Sequence, residues 1–441
     1  MNRKKYINRI FKIAIPIMIS NIIVQVQMII DRIFLGRIDK YNMTAVCNVT
    51  APMWTTMSVI FSLVIGSSIL ISQAVGAGDK EKSEAYAAAM IKWNNVIAVL
   101  FFFFWAFGSK TVFKVMGVSD AVMPLCQGYV KYYVPVFLIT GLGASITVIL
   151  QTSNYTKPLI FYGLIRAGLN IVLDWLLIFG HMGFPKMGIE GAALATTIAE
   201  YVGGVYILLI FIFSKKIATK PSYTAIRKAS LMPYLSSIKL GAPAALEDFC
   251  WNFGNLMLIR ILNSIDEIAA GIFTMVFNVE IIAVVIISAI GNATMTLSGE
   301  ATGSKNKEMF SGVIKLSYAM TAMISTVTLI ACVLIPRQML SLFTTEADII
   351  ESSAIFLLYM GINLYSKSGN IIIGSGIRGY GDTKWMFYTQ IFGTIFVISV
   401  AALLVYVFNL GISGVFLAVI ADEMVRFIIN LLKHRSIVNS N

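Results

Sequence analysis

The chain has 441 residues, of which 58% are hydrophobic and 13% charged, and its mean hydropathy is +0.81. This much apolar surface exceeds what a soluble core of that length can bury, which predicts a membrane protein and leaves no room for a soluble catalytic domain. The net charge of +12 does not predict a nucleic-acid partner, because the basic residues lie in short segments between apolar runs.

Apolar runs long enough to cross the hydrocarbon core of a bilayer as helices follow one another along the chain. Six lie near 11–36, 50–76, 84–108, 122–151, 158–180 and 187–214, and six more near 236–263, 270–302, 310–335, 349–377, 386–408 and 411–432. No small-residue cleavage pattern follows the first run, so we expect a retained helix rather than a signal peptide. The sequence therefore predicts an all-α polytopic membrane protein of twelve transmembrane helices.

A long polar connection, residues 215–235, lies at mid-chain. It predicts a cytoplasmic linker between an N-lobe at 1–214, with helices 1–6, and a C-lobe at 236–441, with helices 7–12. Lysine and arginine are more numerous in the segments on the side of the two termini than in the opposite segments. By the positive-inside rule we expect a multi-pass protein of the cell (inner) membrane with both termini in the cytoplasm.

The two halves repeat each other with an offset of 227 residues. Pro16 corresponds to Pro243, and Gly76 corresponds to Gly303. Six helices per repeat is an even number, so both repeats enter the membrane in the same orientation and are parallel. Two such lobes can rock around a central cleft, which is the geometry of alternating access.

Acidic and amide side chains interrupt two predicted helices of the N-lobe. Gln27 precedes Asp31 by one helical turn, and Asn170 precedes Asp174 with the same i, i+4 spacing. An ionisable side chain at the bilayer centre costs on the order of 3 kcal/mol, so each one has either a structural hydrogen bond or a functional role. We favour a cation-coupling role for Asp31 and Asp174, because buried carboxylates can share a proton or bind a sodium ion.

The internal repeat distinguishes these aspartates from other acids. Neither Asp31 nor Asp174 has an acidic counterpart 227 residues further on, whereas Glu200 and Glu423 correspond to each other at an offset of 223. An acid that the shared scaffold requires is expected twice, so Glu200 and Glu423 are interpreted as scaffold residues. An ion site can lie in one lobe.

Polar residues of the C-lobe helices, together with Gln27, predict a substrate cleft. The candidates are Gln27, Glu247, Asn252, Asn278, Glu280 and Lys367. A buried structural pair of Lys367 with Glu280 or with Glu247 is an equally good interpretation. The acids at 422 and 423 are expected to pair locally with Arg426.

Cysteine and histidine residues do not indicate a metal site. The four cysteines and two histidines are scattered without metal-ligand spacing. The sequence also contains no HExxH, GxSxG or clustered Asp motif. We therefore expect no enzymatic activity and no cofactor, and no metal beyond a coupling ion.

Several short segments resemble the multidrug and toxic compound extrusion (MATE) transporters over essentially the whole chain. They are DRIFLG at 31–36, SQAVGAGD at 72–79, LQTSNYTKP at 150–158, NIVLD at 170–174, GIEGAALAT at 188–196 and IRGYGDTK at 377–384. The resemblance implies the MATE fold of the MOP superfamily. It also implies a secondary antiporter that exports small organic, often cationic, drugs or metabolites in exchange for H⁺ or Na⁺.

The resemblance is closer to the DinF-like branch of that family. It implies a cation-coupling site at Asp31, Asn170, Asp174 and Thr196, with the Ala192 carbonyl as a further ligand. If the coupling ion is Na⁺, the first four residues are the ones that hold it. The branch usually has proline after the second aspartate, where this chain has a tryptophan, which is expected to change the bend of that helix.

A lipid-linked oligosaccharide or lipid flippase of the same superfamily is the alternative function. Such a protein is expected to have a strongly cationic cleft, whereas the intramembrane charges here are mostly acidic. The expected partners are the lipid bilayer and small-molecule substrates, and the protein is expected to be a monomer. Its expected biological role is multidrug efflux and antibiotic resistance.

Overall fold

A computed structural model of the protein describes residues 3–35, 40–343 and 346–440, and every regular element in these ranges is helical. The first half contains α1 (Arg3–Leu35), α2 (Lys40–Gly76), α3 (Lys80–Val115), α4 (Met123–Tyr133), α5 (Val136–Thr152), α6 (Pro158–Phe179) and α7 (Ile189–Phe213). The short helix α8 (Tyr223–Lys228) follows. The second half contains α9 (Leu231–Asn263), α10 (Ala269–Gly303), α11 (Lys307–Leu334), α12 (Pro336–Leu340), α13 (Ala347–Tyr380), α14 (Thr383–Ala402) and α15 (Gly411–Ser440).

Helices α4 and α5 form one bent span. Pro135 stands between them, and proline has no N–H with which to continue the helical hydrogen bonds. The two helix axes meet at 46°. Counting this pair as one, the described part of the chain contains twelve long helices, in the order that the sequence predicts.

Nine of the long helices in the described ranges, and the bent pair as a tenth, are long and apolar enough to cross a membrane. The two others, α9 and α15, carry charged residues in the middle of the helix. Glu247 lies on α9, and Asp422, Glu423 and Arg426 lie on α15. These charges form ion pairs inside the protein, so a low apolar content does not prevent the two helices from spanning.

Most helices are longer than the apolar runs predict. Helix α1 begins at Arg3 rather than near residue 11, and α15 ends at Ser440 rather than near residue 432. Basic side chains at such ends can extend to the water interface while their backbone stays helical. Helix α9 begins at Leu231, so the last part of the predicted linker is helical. The division into lobes at 214 and 236 stays a prediction.

The chain folds into two compact units, which we call the N-unit and the C-unit. The N-unit comprises Ile15–Val75 and Asp79–Ala242, and the C-unit comprises Met1–Ala14, Gly76–Gly78 and Pro243–Asn441. Along α1 and α9, the chain changes unit beside Pro16 and at Pro243. Proline interrupts the hydrogen bonds of a helix at these points.

Each unit has its own apolar core. In the N-unit, Trp105, Phe137 and Ile178 are among the fully or nearly fully buried side chains of one cluster. In the C-unit, Leu357 and Phe416 belong to a second cluster.

Glycines let two helices of the N-unit approach to backbone contact. A Cβ atom added to Gly66 of α2 would lie 2.7 Å from the backbone nitrogen of Gly241 on α9. A Cβ atom added to Gly241 would lie 2.6 Å from the carbonyl oxygen of Ser62. Atoms do not pack this closely, so a larger residue at either position forces the helices apart. Small residues at such contacts are typical of helix packing in membranes.

We expect Gly66→Leu to destabilise the protein by about 3 kcal/mol, because the clash is with backbone atoms that cannot turn aside. Gly168→Ala is the matched control in the same unit, since nothing lies within 4 Å of a Cβ atom at that position. The measurement is the thermal unfolding midpoint of the two purified variants in detergent. A midpoint for Gly66→Leu equal to that of wild type contradicts the close contact.

Candidate functional site

Two acidic side chains meet in the N-unit. Asp31 lies on α1 and Asp174 on α6, and their carboxyl groups are within hydrogen-bonding reach of each other. Asp174 is 1% exposed, and Asp31 is half-buried. The structure therefore brings together the two aspartates that the sequence singles out.

Amide side chains surround this pair. Gln27 donates from Nε2 to Asp31 Oδ2 at 3.3 Å and to Asn170 Oδ1 at 2.6 Å. Asn170 is 1% exposed. With its amide group turned over, Asn170 instead donates to Asp31 Oδ1 at 3.0 Å. With this assignment the amide oxygen of Asn170 accepts from Thr196 Oγ1 at 3.3 Å.

Helix α7 supplies the remaining predicted ligands. Asn170 Nδ2 donates to Thr196 Oγ1 at 3.3 Å, and Thr196 Oγ1 donates to the carbonyl oxygen of Ala192 at 3.0 Å. The i, i+4 spacing of Ala192 and Thr196 places this hydrogen bond along the helix. The residues predicted for the cation site from α1, α6 and α7 therefore form one continuous polar cluster.

In the described part of the chain, neither aspartate has a basic neighbour that neutralises it. Among the described residues, no lysine, arginine or histidine forms an ion pair with Asp31 or Asp174. Within the same ranges, the buried Oδ1 atom of Asp174 has no hydrogen-bond partner. Two carboxyl groups hydrogen-bond to each other only if one carries a proton, since two negative charges at this distance repel. The pair can hold one proton, or its oxygens can bind one monovalent cation.

Aromatic residues border the cluster. Tyr129 on α4 is 5% exposed and lies close enough to both aspartates to interact with their charge. Sequence reasoning does not assign Tyr129 to this cluster, because its position depends on the packing of α4 against α7. Trp175, which follows Asp174, is partly exposed and stacks on His181 with ring centroids 4.4 Å apart.

In the C-unit, the structure selects one of the two pairings considered for Lys367. Lys367 Nζ donates to Glu280 Oε2 at 2.8 Å, and both side chains are buried. Glu247 instead binds Arg378, whose Nη2 lies 2.5 Å from Glu247 Oε1. Both acids of the predicted substrate cleft thus have a basic partner.

The two asparagines predicted for the cleft are placed differently. Asn252 is exposed on α9 and donates to the carbonyl oxygen of Asp248 at 2.8 Å, while Asn278 on α10 is half-buried. A substrate-binding role for these residues stays a prediction.

The expected local pair on α15 is confirmed and extended. Arg426 Nη2 lies 2.7 Å from Asp422 Oδ2 and 3.1 Å from Glu423 Oε1. Asn370 Nδ2 on α13 donates to Glu423 Oε2 at 2.6 Å. Glu423 therefore links α15 to α13, as expected of a scaffold residue.

The corresponding acid of the first half, Glu200, also has an arginine partner. Arg166 on α6 binds Glu200 on α7 through Nη2. In the second half, Arg426 binds Glu423 from the same helix instead. The corresponding glutamates of the two repeats are therefore neutralised by arginines that come from different helices.

Glycines occupy the two repeat positions from which an arginine is missing. Gly393 corresponds to Arg166 at the offset of 227, and Gly203 corresponds to Arg426 at the offset of 223. A Cβ atom on Gly393 would lie 2.7 Å from Nε of Arg426, and one on Gly203 would lie 2.9 Å from Cδ of Arg166. The Arg426 side chain therefore occupies the space beside Gly393, and the Arg166 side chain occupies the space beside Gly203.

We expect Arg166→Gly to cost about 3 kcal/mol, because it leaves the buried Glu200 without a counter-charge. Adding Gly203→Arg in the same chain should restore at least half of that loss, because it recreates in the N-unit the arrangement of Glu423 and Arg426. Gly203→Arg alone should destabilise the N-unit by crowding two arginines around one carboxylate.

Unfolding free energies of the two single variants and the double variant measure this coupling as a double-mutant cycle. If the free energy of unfolding lost by the double variant equals the sum of the two single losses, an arginine at position 203 does not replace Arg166 as the partner of Glu200.

No group of three or more His, Cys, Asp or Glu side chains in the described part of the chain is arranged to hold a metal ion. The sequence model of the MatE family matches residues 16–176 and 243–403 of this chain. The two matches begin at Pro16 and Pro243, so they are offset by the same 227 residues as the internal repeat.

Proteins similar to this chain over most of its length include two bacterial relatives. A probable multidrug resistance protein NorM of Thermotoga maritima is 29% identical over 96% of this chain and 91% of that protein. The multidrug resistance protein NorM of Vibrio vulnificus (strain YJ016) is 24% identical over 87% of this chain and 84% of that protein.

Solved structures share the fold. The outward-facing conformation of a multidrug resistance MATE family transporter of the MOP superfamily matches with a TM-score of 0.91 and 20% identity, covering 98% of this chain and 96% of that one. A MOP superfamily transporter from Pyrococcus furiosus, with the same identity and coverage, gives a TM-score of 0.89. The predicted fold of twelve helices in two repeats is confirmed.

Proposed function

The chain belongs to the MatE family of membrane transporters, and from this premise we propose that it is a secondary active antiporter for multidrug efflux. It exports small organic, often cationic, compounds and takes up a cation that binds at Asp31 and Asp174. The observation that carries the proposal is the contact between these two carboxyl groups, which have no ion-pair partner among the described residues.

The proposed cycle uses rocker-switch alternating access. Binding of the cation at Asp31 and Asp174 neutralises a charge in the N-unit, reshapes the surrounding cavity and lowers the affinity for the drug in the outward-open state. Drug and cation then compete, so the two move in opposite directions. Exchange of one monovalent cation for one monovalent drug transfers no net charge, and it is driven by the concentration gradient of the coupling ion alone.

We propose the proton as the coupling ion. The contact between Asp31 and Asp174 supports this choice, since one shared proton turns their repulsion into a hydrogen bond.

The C-unit residues Glu247 and Glu280 are proposed to contribute to the substrate cleft in their ion-paired form. The flippase alternative is less well supported, because four arginines that lie largely inside the protein are bound to carboxylates rather than free for a pyrophosphate group. These are Arg9 with Glu300, Arg166 with Glu200, Arg378 with Glu247, and Arg426 with Asp422 and Glu423. An inner-membrane location with cytoplasmic termini, and a monomeric state, are part of the same proposal.

We expect Asp31→Asn and Asp174→Asn each to lower drug export by about tenfold or more, because asparagine keeps the shape of the side chain but cannot carry the coupling charge. The measurement is ethidium efflux from cells, with folded protein verified by size-exclusion chromatography. Asp266→Asn, at an exposed position, is the matched control and should export at the wild-type rate. Wild-type export by folded Asp31→Asn and Asp174→Asn proteins contradicts the proposal.

Independently imposed gradients identify the coupling ion. In proteoliposomes loaded with ethidium, we expect an acidic outer solution without a sodium gradient to accelerate efflux, because protons then move inward as the drug moves outward. A sodium gradient at equal pH on both sides should have no effect. Acceleration by the sodium gradient alone contradicts proton coupling, and failure of both gradients contradicts antiport.

A further inference from the structure

A lysine side chain lies buried inside the C-unit. Lys367 extends from α13, and its side chain is 13% exposed. Its ammonium group donates to Glu280 Oε2 at 2.8 Å and lies 5.4 Å from the ring centroid of Phe277. A carboxylate on one side and an aromatic face on another are the surroundings that bind a free ammonium ion.

The cavity around this ammonium contains more acceptors than the lysine uses. It has a volume of about 70 Å³, enough for a small cluster of water molecules. Glu280 Oε1 and Asn363 Oδ1 are buried there without a hydrogen-bond partner among the described residues, and both residues are 4% exposed. Buried acceptors that lack a donor are costly, and a cation or an N–H donor is the ligand that satisfies them.

Lys367 carries one of the two positive charges that line the same cavity. The lining includes three acids, Glu280, Asp422 and Glu423, and two bases, Lys367 and Arg426. Arg426 serves both Asp422 and Glu423, so Glu280 depends on Lys367. Without the lysine ammonium, the cavity has a strong excess of negative charge.

We infer that this cavity is a cation site whose ligand is part of the chain. The Lys367 ammonium, bound to Glu280 and beside the ring of Phe277, occupies the position of a free monovalent cation or a primary organic ammonium in a cavity that Asn363 also lines. A Lys–Glu pair uses one carboxylate oxygen, and the second oxygen of Glu280 is buried in this cavity without a partner among the described residues. The surplus of acceptors marks a binding site for a cation rather than a simple pair.

The two units then differ in how they hold positive charge. In the N-unit, Asp31 and Asp174 have no basic partner in the described ranges and need a cation from solution. In the C-unit, the cation is tethered and cannot leave. Given the proposed antiport function, only the N-unit exchanges a coupling ion.

Lys367→Ala tests the site, because it removes three methylene groups and the ammonium, which together correspond to n-propylammonium. We expect the variant to unfold several degrees below wild type, and n-propylammonium chloride to restore the unfolding midpoint in a dose-dependent way. Tetramethylammonium chloride at equal ionic strength should not restore it, because it has no N–H to donate. Radiolabelled n-propylammonium should bind to the variant with one more equivalent than to wild type.

Two control variants separate a site from a general salt effect. Lys433→Ala removes another lysine that binds a carboxylate, Asp382 at 2.7 Å, and faces an aromatic ring, Trp385 at 4.7 Å, but this pair is more exposed. Its stability should not respond to n-propylammonium. Adding Glu280→Gln to Lys367→Ala removes the carboxylate and should abolish the amine effect.

An absence of extra binding to Lys367→Ala overturns the inference, as does an equal response to both ammonium salts or a response that survives Glu280→Gln. If Lys367→Ala does not fold alone, its folded yield during extraction with and without n-propylammonium is measured, and an unchanged yield is equally negative. These measurements involve no transport. They can therefore fail while the antiport function holds, and the reverse is also true.

Discussion

The structure depends on one constraint, which is that a charge inside the hydrocarbon region needs an opposite charge or a cation beside it. An unpaired buried charge costs several kcal/mol, because water no longer solvates it. The described part of the chain meets this cost with ion pairs between helices and along them. They are Arg9 with Glu300, Arg166 with Glu200, Glu247 with Arg378, Lys367 with Glu280, and Arg426 with Asp422 and Glu423. Asp31 and Asp174 stand apart from this pattern, which is why they are the strongest candidates for an exchangeable ion.

The internal repeat shows how the constraint limits divergence of the two halves. Glu200 and Glu423 occupy corresponding positions, and each keeps an arginine, but Arg166 comes from α6 and Arg426 from α15. The arginine thus comes from a different helix in each half, while both glutamates have a positive charge beside them. The glycine opposite each arginine is the geometric condition for this exchange, because any Cβ atom there would occupy the space of the arginine chain.

The amino-acid sequence predicts the long helices well and the ion pairs poorly, for different physical reasons. Apolar runs indicate which segments lie in lipid, so they predict the twelve helices in the correct order. They do not predict the polar ends of the helices, because these ends extend beyond the lipid. Asn170 and Asp174 were predicted to share a face because helical spacing decides it. The partners of Arg166 and Arg378 depend on which helices are neighbours, which periodicity does not contain. Lys367 is a further case. The sequence allows an ion pair with either Glu280 or Glu247, and only the distances in the structure distinguish the two partners.

The asymmetry between the units has an energetic meaning. Each exchangeable cation contributes the free energy of its own gradient once per cycle, about 1.4 kcal/mol for every tenfold difference in concentration. In the proposed cycle, an ammonium group that belongs to the chain stays with Glu280 and adds no ion gradient to the driving force. With one exchangeable site, and a drug of the same charge as the coupling ion, the attainable drug gradient is limited to that of the ion. A second exchangeable site would raise the limit to the square of that ratio, multiplied by the contribution of the membrane potential to the one net charge that then moves inward. By fixing its cation, the C-unit gives up that second contribution, so the proposed coupling depends on the N-unit alone.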